Sequence, residues 1–172
     1  MAYVFENNNL GMPAVTSHIA ADSTSNAPVN RPWKLGDIQR VVDPTLGAAE
    51  FIYLKGVANT VVGSIVNYDD SFQTALDTTG LSTPRPNAVA MAACVANEYG
   101  WYQISGIAVA VKANSVSFAK GAAIAAATGK AIAIASGLIL NGALVAVVAS
   151  AKTDVTSVKV MINRPHAPSD VS

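Results

Sequence analysis

The sequence predicts an all-β fold, a small antiparallel β-barrel or sandwich of jelly-roll-like type with an extended N-terminal arm. Three observations predict it. Val158, Val160 and Ile162 alternate with Lys159, Met161 and Asn163, the period of two that gives a strand one apolar and one polar face. Ile107-Ala108-Val109-Ala110-Val111 and Ala131-Ile132-Ala133-Ile134-Ala135 alternate large and small side chains with the same period. Short apolar runs are divided throughout by Gly, Asn and Ser, which punctuate strands rather than helices.

Residues 1–30 differ from the rest. Asn7-Asn8-Asn9, Ser23-Thr24-Ser25-Asn26 and the prolines Pro13 and Pro28 leave little hydrophobic periodicity. Such a stretch cannot offset its own ordering entropy by burial, so it is expected as an arm, frayed or ordered against a neighbour. A β-rich domain follows over 31–165, starting at Arg31-Pro32-Trp33. Ala49 to Gly56 reads as a strand, Val57-Ala58-Asn59 as a tight connection, and Thr60 to Tyr68 as a second strand with a bulge at Gly63. The polar segment 69–87, with Gly80, Pro84 and Pro86, reads as a loop excursion. Tyr99 to Ser105 is a strand ending at Gly106, and Ile107 to Lys112 is the next. The Ala-rich stretch 122–128 fits either a helical turn or a strand. Residues 166–172 form a C-terminal tail. Alternation of Ile or Val with Ala suits a small barrel in which the large residues fill the interior and Ala lies on a face another surface can approach closely.

The residues that carry chemistry are sparse. The 21 residues from Ala131 to Ala151 carry no charge and are long enough to span a bilayer. Ser136-Gly137 and Asn141-Gly142 are turn signals, however, so two strands and a connection are expected there and no membrane partner. Met1 to Glu6 lacks the basic and apolar regions of a secretory signal. Eleven Lys and Arg balance eleven Asp and Glu to a formal net charge of zero, with no basic patch, so nucleic acid is not an expected partner. Cys94 is the single cysteine, which excludes an intrachain disulfide, and its apolar run 89–95 suits a small buried hydrophobe. His18 and His166 lie near the chain ends with no carboxylate or thiol at ligand spacing, and Asp69-Asp70 reads as a solvated turn. Gly121 and Gly129-Lys130 lack the spacing of a phosphate loop, and no Gly-x-Ser-x-Gly elbow occurs. No catalytic residue, cofactor or metal is expected, and the protein reads as non-enzymatic.

What remains is binding. Charged residues make up 13% of the chain, about half the ~25% usual in globular domains, while 51% of it is hydrophobic. A surface that poor in charge suits a protein whose exterior is covered by partners. Arg31 and Trp33, where arm meets domain, and Arg40 are the candidate interface residues, since Trp and Arg are enriched at binding hot spots. Trp101, between Tyr99 and Tyr102, is expected in the core.

Glu98-Tyr99-Gly100-Trp101-Tyr102-Gln103-Ile104-Ser105-Gly106 is similar to a motif of phage head proteins, E-Y-G-W-x-Q-x-x-G. The order around it also matches: an Asn- and Pro-containing arm, Gly36-Asp37, a central strand pair, Pro86 to Ala93 before the motif, and a closing Val160-Met161-Ile162-Asn163-Arg164-Pro165. Over about residues 33–165 the chain resembles capsid decoration (cement) proteins of tailed bacteriophages. The resemblance implies a β-barrel-like domain, a homotrimer bound to the major capsid protein on the outer surface of the virion, and no catalytic residues. Another virion component, such as a head-fibre base or tail-associated protein, and a free β-barrel that binds a carbohydrate or small ligand are the alternatives.

Overall fold

A computed structural model describes residues 4–5, 16, 18–19, 33–77, 85–94, 96–134, 139–152 and 156–166. Among them every regular element is a strand: β1 (Val4–Phe5), β2 (His18–Ile19), β3 (Ile38–Asp43), β4 (Gly47–Lys55), β5 (Ile65–Tyr68), β6 (Thr74–Leu76), β7 (Asn87–Ala90), β8 (Tyr99–Val111), β9 (Ala125–Ala127), β10 (Lys130–Ile132), β11 (Asn141–Val145) and β12 (Ser157–His166). The main sheet runs β1-β3-β4-β8-β7-β5-β6, with β12 joined to β8, β11 to β12 and β2 to β8, and β9–β10 is a separate hairpin. Its strand pairs are antiparallel, as expected, but the ladder does not close into a barrel among the described residues.

β8, 13 residues long, organises the sheet. Its first half pairs with β4 from Tyr99 to Ser105 and with β7 at Tyr102 and Gln103, whereas its second half pairs with β12 from Ser105 to Val111. The sequence suggested two strands divided at Gly106. Instead one strand passes through it, because Gly106 adopts φ 94, a conformation that costs glycine nothing. Just before it, Glu50 faces Ser105 while Phe51 faces Gln103, so β8 carries one extra residue in the ladder. Such a bulge bends a strand and reverses which alternate side chains face which side.

The nine-residue motif is the centre of this fold. Tyr99 and Trp101 pack with Phe51, Tyr53, Val41 and Met91 on one side, and Tyr102 and Ile104 pack with Ile52, Leu54, Val66 and Cys94 on the other. The sheet is thus buried on both faces here, which explains why β4 reads as a continuous apolar run. A third cluster joins Ile65 and Val89 to Ala108, Ala110, Ile124, Val158, Val160 and Ile162. β12 follows its predicted alternation, with Val158, Val160 and Ile162 buried and Lys159, Met161 and Asn163 exposed.

Other local expectations are corrected or decided. The segment 69–87 is not wholly loop, since Thr74–Leu76 pairs with β5, and residues 78–84 lie outside the described residues. Asp69 Oδ1 accepts from the Ser71 and Gln73 N–H groups, so the acidic pair opens a turn that leads into β6. The stretch 122–128 forms a strand at Ala125–Ala127, which turns into β10 through Thr128 and Gly129 with φ 48 and 72, a two-residue hairpin of the primed type. Gly63 lies in the turn before β5, not within a strand. Asn141-Gly142 is a bulged start to β11 instead of a turn. No helix among the described residues is long and apolar enough to cross a membrane.

Most of residues 1–30 lies outside the described residues, but the two described strands there pair within the chain: Val4 and Phe5 with Val42 and Val41, and His18 and Ile19 with Gly100 and Tyr99. The tail beyond His166 is outside them as well.

Candidate interaction surface

The three predicted interface residues do not form one patch. Arg31 lies outside the described residues. Trp33 is half-buried and packs edge-on against Tyr53 and Trp101, with ring centroids 5.7 and 5.5 Å apart. Backbone bonds from Gly36 N–H to Tyr53 O and from Tyr53 N–H to Asp37 O hold its segment across the sheet. Trp33 therefore covers the motif's own aromatic cluster, and Trp33→Ala should cost about 1–3 kcal/mol in a urea titration. Arg40 is exposed on β3 opposite Glu50. Glu50 in turn accepts from Arg164 Nη2 at 3.1 Å, which ties β12 to β4 where β8 passes from one to the other. Both of these side chains are solvent-accessible, so Arg164→Ala should shift stability by less than about 1 kcal/mol.

A different surface stands out. Along the second half of β8, Ala108 and Ala110 are fully buried, while Ile107, Val109 and Val111 point the other way and are half-exposed. This inverts the expected arrangement of large residues inside and Ala outside. The reason lies in the interior: Val158, Val160 and Ile162, paired beside Ala110, Ala108 and Gly106, share one close-packed cluster with Phe118 and Ile124, and β8 contributes only methyl groups to it. The large side chains are consequently presented outward. Across the sheet they continue in register: Ile107 is paired with Met161, and Met161 with Leu144, so three strands present an apolar row. Met161 is 54% and Leu144 43% exposed, which is far from the burial such residues normally reach. Val109 is opposite Lys159, and Val111 opposite Ser157.

The row extends at both ends. Beyond Leu144, Ile139 is exposed and lines with Leu144, Met161, Ala123 and Asn163 a groove of about 480 Å³. Beyond Val111, the turn carrying exposed Val61 and Val62 sits close, because Gly63 lies against the Val109 carbonyl and the Val111 side chain. A smaller hollow of about 180 Å³ lies between Val62, Val109, Val111 and Ser157. The result is a largely apolar strip across β11, β12 and β8, with Lys159 as the one charge that these pairs place within it. Met161, an apolar residue between Lys159 and Asn163 on the outward face of β12, is the sign of this strip visible in the sequence. The low charge content was the other.

Among the described residues, no three His, Cys, Asp or Glu side chains come together in a metal-binding group. Cys94 is buried, and burial pushes its thiol up to about 11 from an ordinary 9.0. The folded state thus holds this proton where the unfolded chain would release it. That contribution to stability is complete below pH 9 and is lost as pH rises through about 11. Native protein at pH 8 should react with an aromatic disulfide reagent only as fast as it unfolds, and rapid native labelling would contradict that assignment. No family model and no curated protein matches this sequence.

Proposed function

We propose that the chain is a non-enzymatic structural protein that docks through its outward apolar strip onto a protein shell, as a decoration (cement) protein on the outer surface of a phage capsid. The inverted half of β8 carries the reading: a strand that buries Ala108 and Ala110 while presenting Ile107, Val109 and Val111 is built for a second protein surface. Resemblance of the Glu98–Gly106 motif and of the closing Val160 to Pro165 to phage head proteins supplies the kind of partner, the major capsid protein, and the homotrimeric state. In this reading the branched sheet is a sandwich-type, jelly-roll-like body and residues 1–30 its arm.

Binding only the mature shell stabilises that shell by mass action, and several contacts per trimer raise the effective affinity without any one contact being strong. Purified protein added to capsids lacking it should bind saturably and raise their resistance to heat. Absence of binding at micromolar concentrations would reject the proposal, and density confined to the tail in micrographs of whole particles would replace it with another virion role.

A further inference from the structure

The sheet also contains a group of buried polar side chains that the protein itself leaves partly unsatisfied. Asn67 of β5 and Asn87 of β7 are direct partners in the ladder, and Val89, two residues along β7, is paired with Gln103 of β8. Paired residues of an antiparallel ladder point to the same side, as do residues two apart on a strand. Asn67, Asn87 and Gln103 therefore share one face, and none is more than 2% exposed. Asn87 Nδ2 donates to Asp77 Oδ2 at 2.6 Å, and Gln103 Nε2 donates to the Ser105 carbonyl at 3.0 Å. Four atoms of the group have no hydrogen-bond partner: Asn67 Oδ1, Asn67 Nδ2, Asn87 Oδ1 and Gln103 Oε1. Buried amides left in that condition are strongly unfavourable and rare in folded proteins.

We propose that Asn67, Asn87 and Gln103 form an internal hydration site, holding one or two ordered water molecules between β5, β7 and β8. The donor and acceptor inventory selects the ligand. Three carbonyl oxygens with the Asp77 carboxylate nearby would suit a hard cation, which binds oxygen ligands. A cation cannot accept from Asn67 Nδ2, however, and would repel that N–H group. Turning the Asn67 amide over does not help, because both of its polar atoms lack partners. Water both donates and accepts, so it can serve two of the oxygens while accepting from the Asn67 amide. The location gives the site a structural task. Asp77 and Asn87 stand at the two ends of the segment 77–87 and are joined by their side chains, and the water extends that clasp to β5 and β8.

The test is water-to-protein cross-relaxation by NMR on the intact native chain. The side-chain amide protons of Asn67 and Asn87 should show cross-peaks to water of the sign given by a long-lived internal molecule. In Asn67→Leu the Asn87 cross-peak should be lost or reduced several-fold. If that variant does not fold, the wild-type spectrum alone decides. Absence of cross-peaks in the wild type overturns the proposal. So does a thermal midpoint that rises with millimolar calcium or sodium chloride but not with an equal ionic strength of a bulky organic cation, since that result identifies a cation site instead.

Discussion

Gly106→Val should leave the chain without a cooperative unfolding transition, and Gly106→Ala should lower stability by about 3–5 kcal/mol in a urea titration. Two separate terms add at this position. The backbone has φ 94, where a Cβ is strained, and that Cβ would lie 2.5 Å from the Ala48 carbonyl oxygen and 3.1 Å from Ala49 Cα. The second term is the larger, because both atoms belong to the backbone of β4 and move only if the β4–β8 ladder opens. Gly47 separates the two terms. It has a similar φ of 82 with nothing within 4 Å of the added carbon, so Gly47→Ala should cost only the conformational part, about 1–2 kcal/mol. Equal midpoint shifts in the two Ala variants would show that close approach of β4 to β8 does not govern Gly106. The consequence would reach the third core cluster as well as the first two, since β12 is joined to the sheet through the residues just beyond Gly106.

The same glycine marks the boundary of what could be read from sequence. Strand identity was legible wherever alternation or β-branched runs were strong, as in β4, β12 and the two halves of β8. Phase was not. A period of two states that alternate residues share a face, but it is symmetric between the faces, and only tertiary packing decides which of them is covered. In β12 the charge of Lys159 broke that symmetry. In Ile107 to Val111 both alternating sets are apolar, so the larger was assigned to the interior, and the bulge ahead of Gly106 together with a filled core put it outside. β6 was missed because Thr74–Leu76 is short and set in polar sequence: its backbone pairs with β5, while Gln73 and Thr74 side-chain bonds to Lys55 O tie its start to the end of β4, and no apolar alternation marks it. Trp33 was singled out as a hot-spot residue type, yet composition cannot tell an aromatic that meets a partner from one that covers Tyr53 and Trp101 of its own chain. The Asn67–Asn87–Gln103 group had no sequence signal at all, since it exists only once β5, β7 and β8 are in register.

The apolar strip leads to the second large effect, this one on assembly and not on folding. Met161→Glu should reduce binding to the shell by at least about 30-fold per copy, because a carboxylate forced into a dry protein contact without a partner costs about 2 kcal/mol or more. In a trimer the loss multiplies, since every copy carries the same defect and the multivalent gain disappears with the individual contacts. Stability of the free chain should change by no more than about 0.5 kcal/mol, as Met161 is more than half exposed and Lys159 lies two residues away on the same face. Leu144→Glu, on the neighbouring strand in the same row, should behave alike. Lys120→Glu serves as the control: it introduces the same side chain at an exposed position of the turn beside Gly121, and should bind as the wild type does. If Met161→Glu and Leu144→Glu bind normally while both remain folded, the strip is not the docking face. If they instead stay shell-competent but no longer self-associate by light scattering, the strip joins copies of this chain to one another, and the shell contact must lie on another surface, with exposed Arg40 on β3 the next to be substituted.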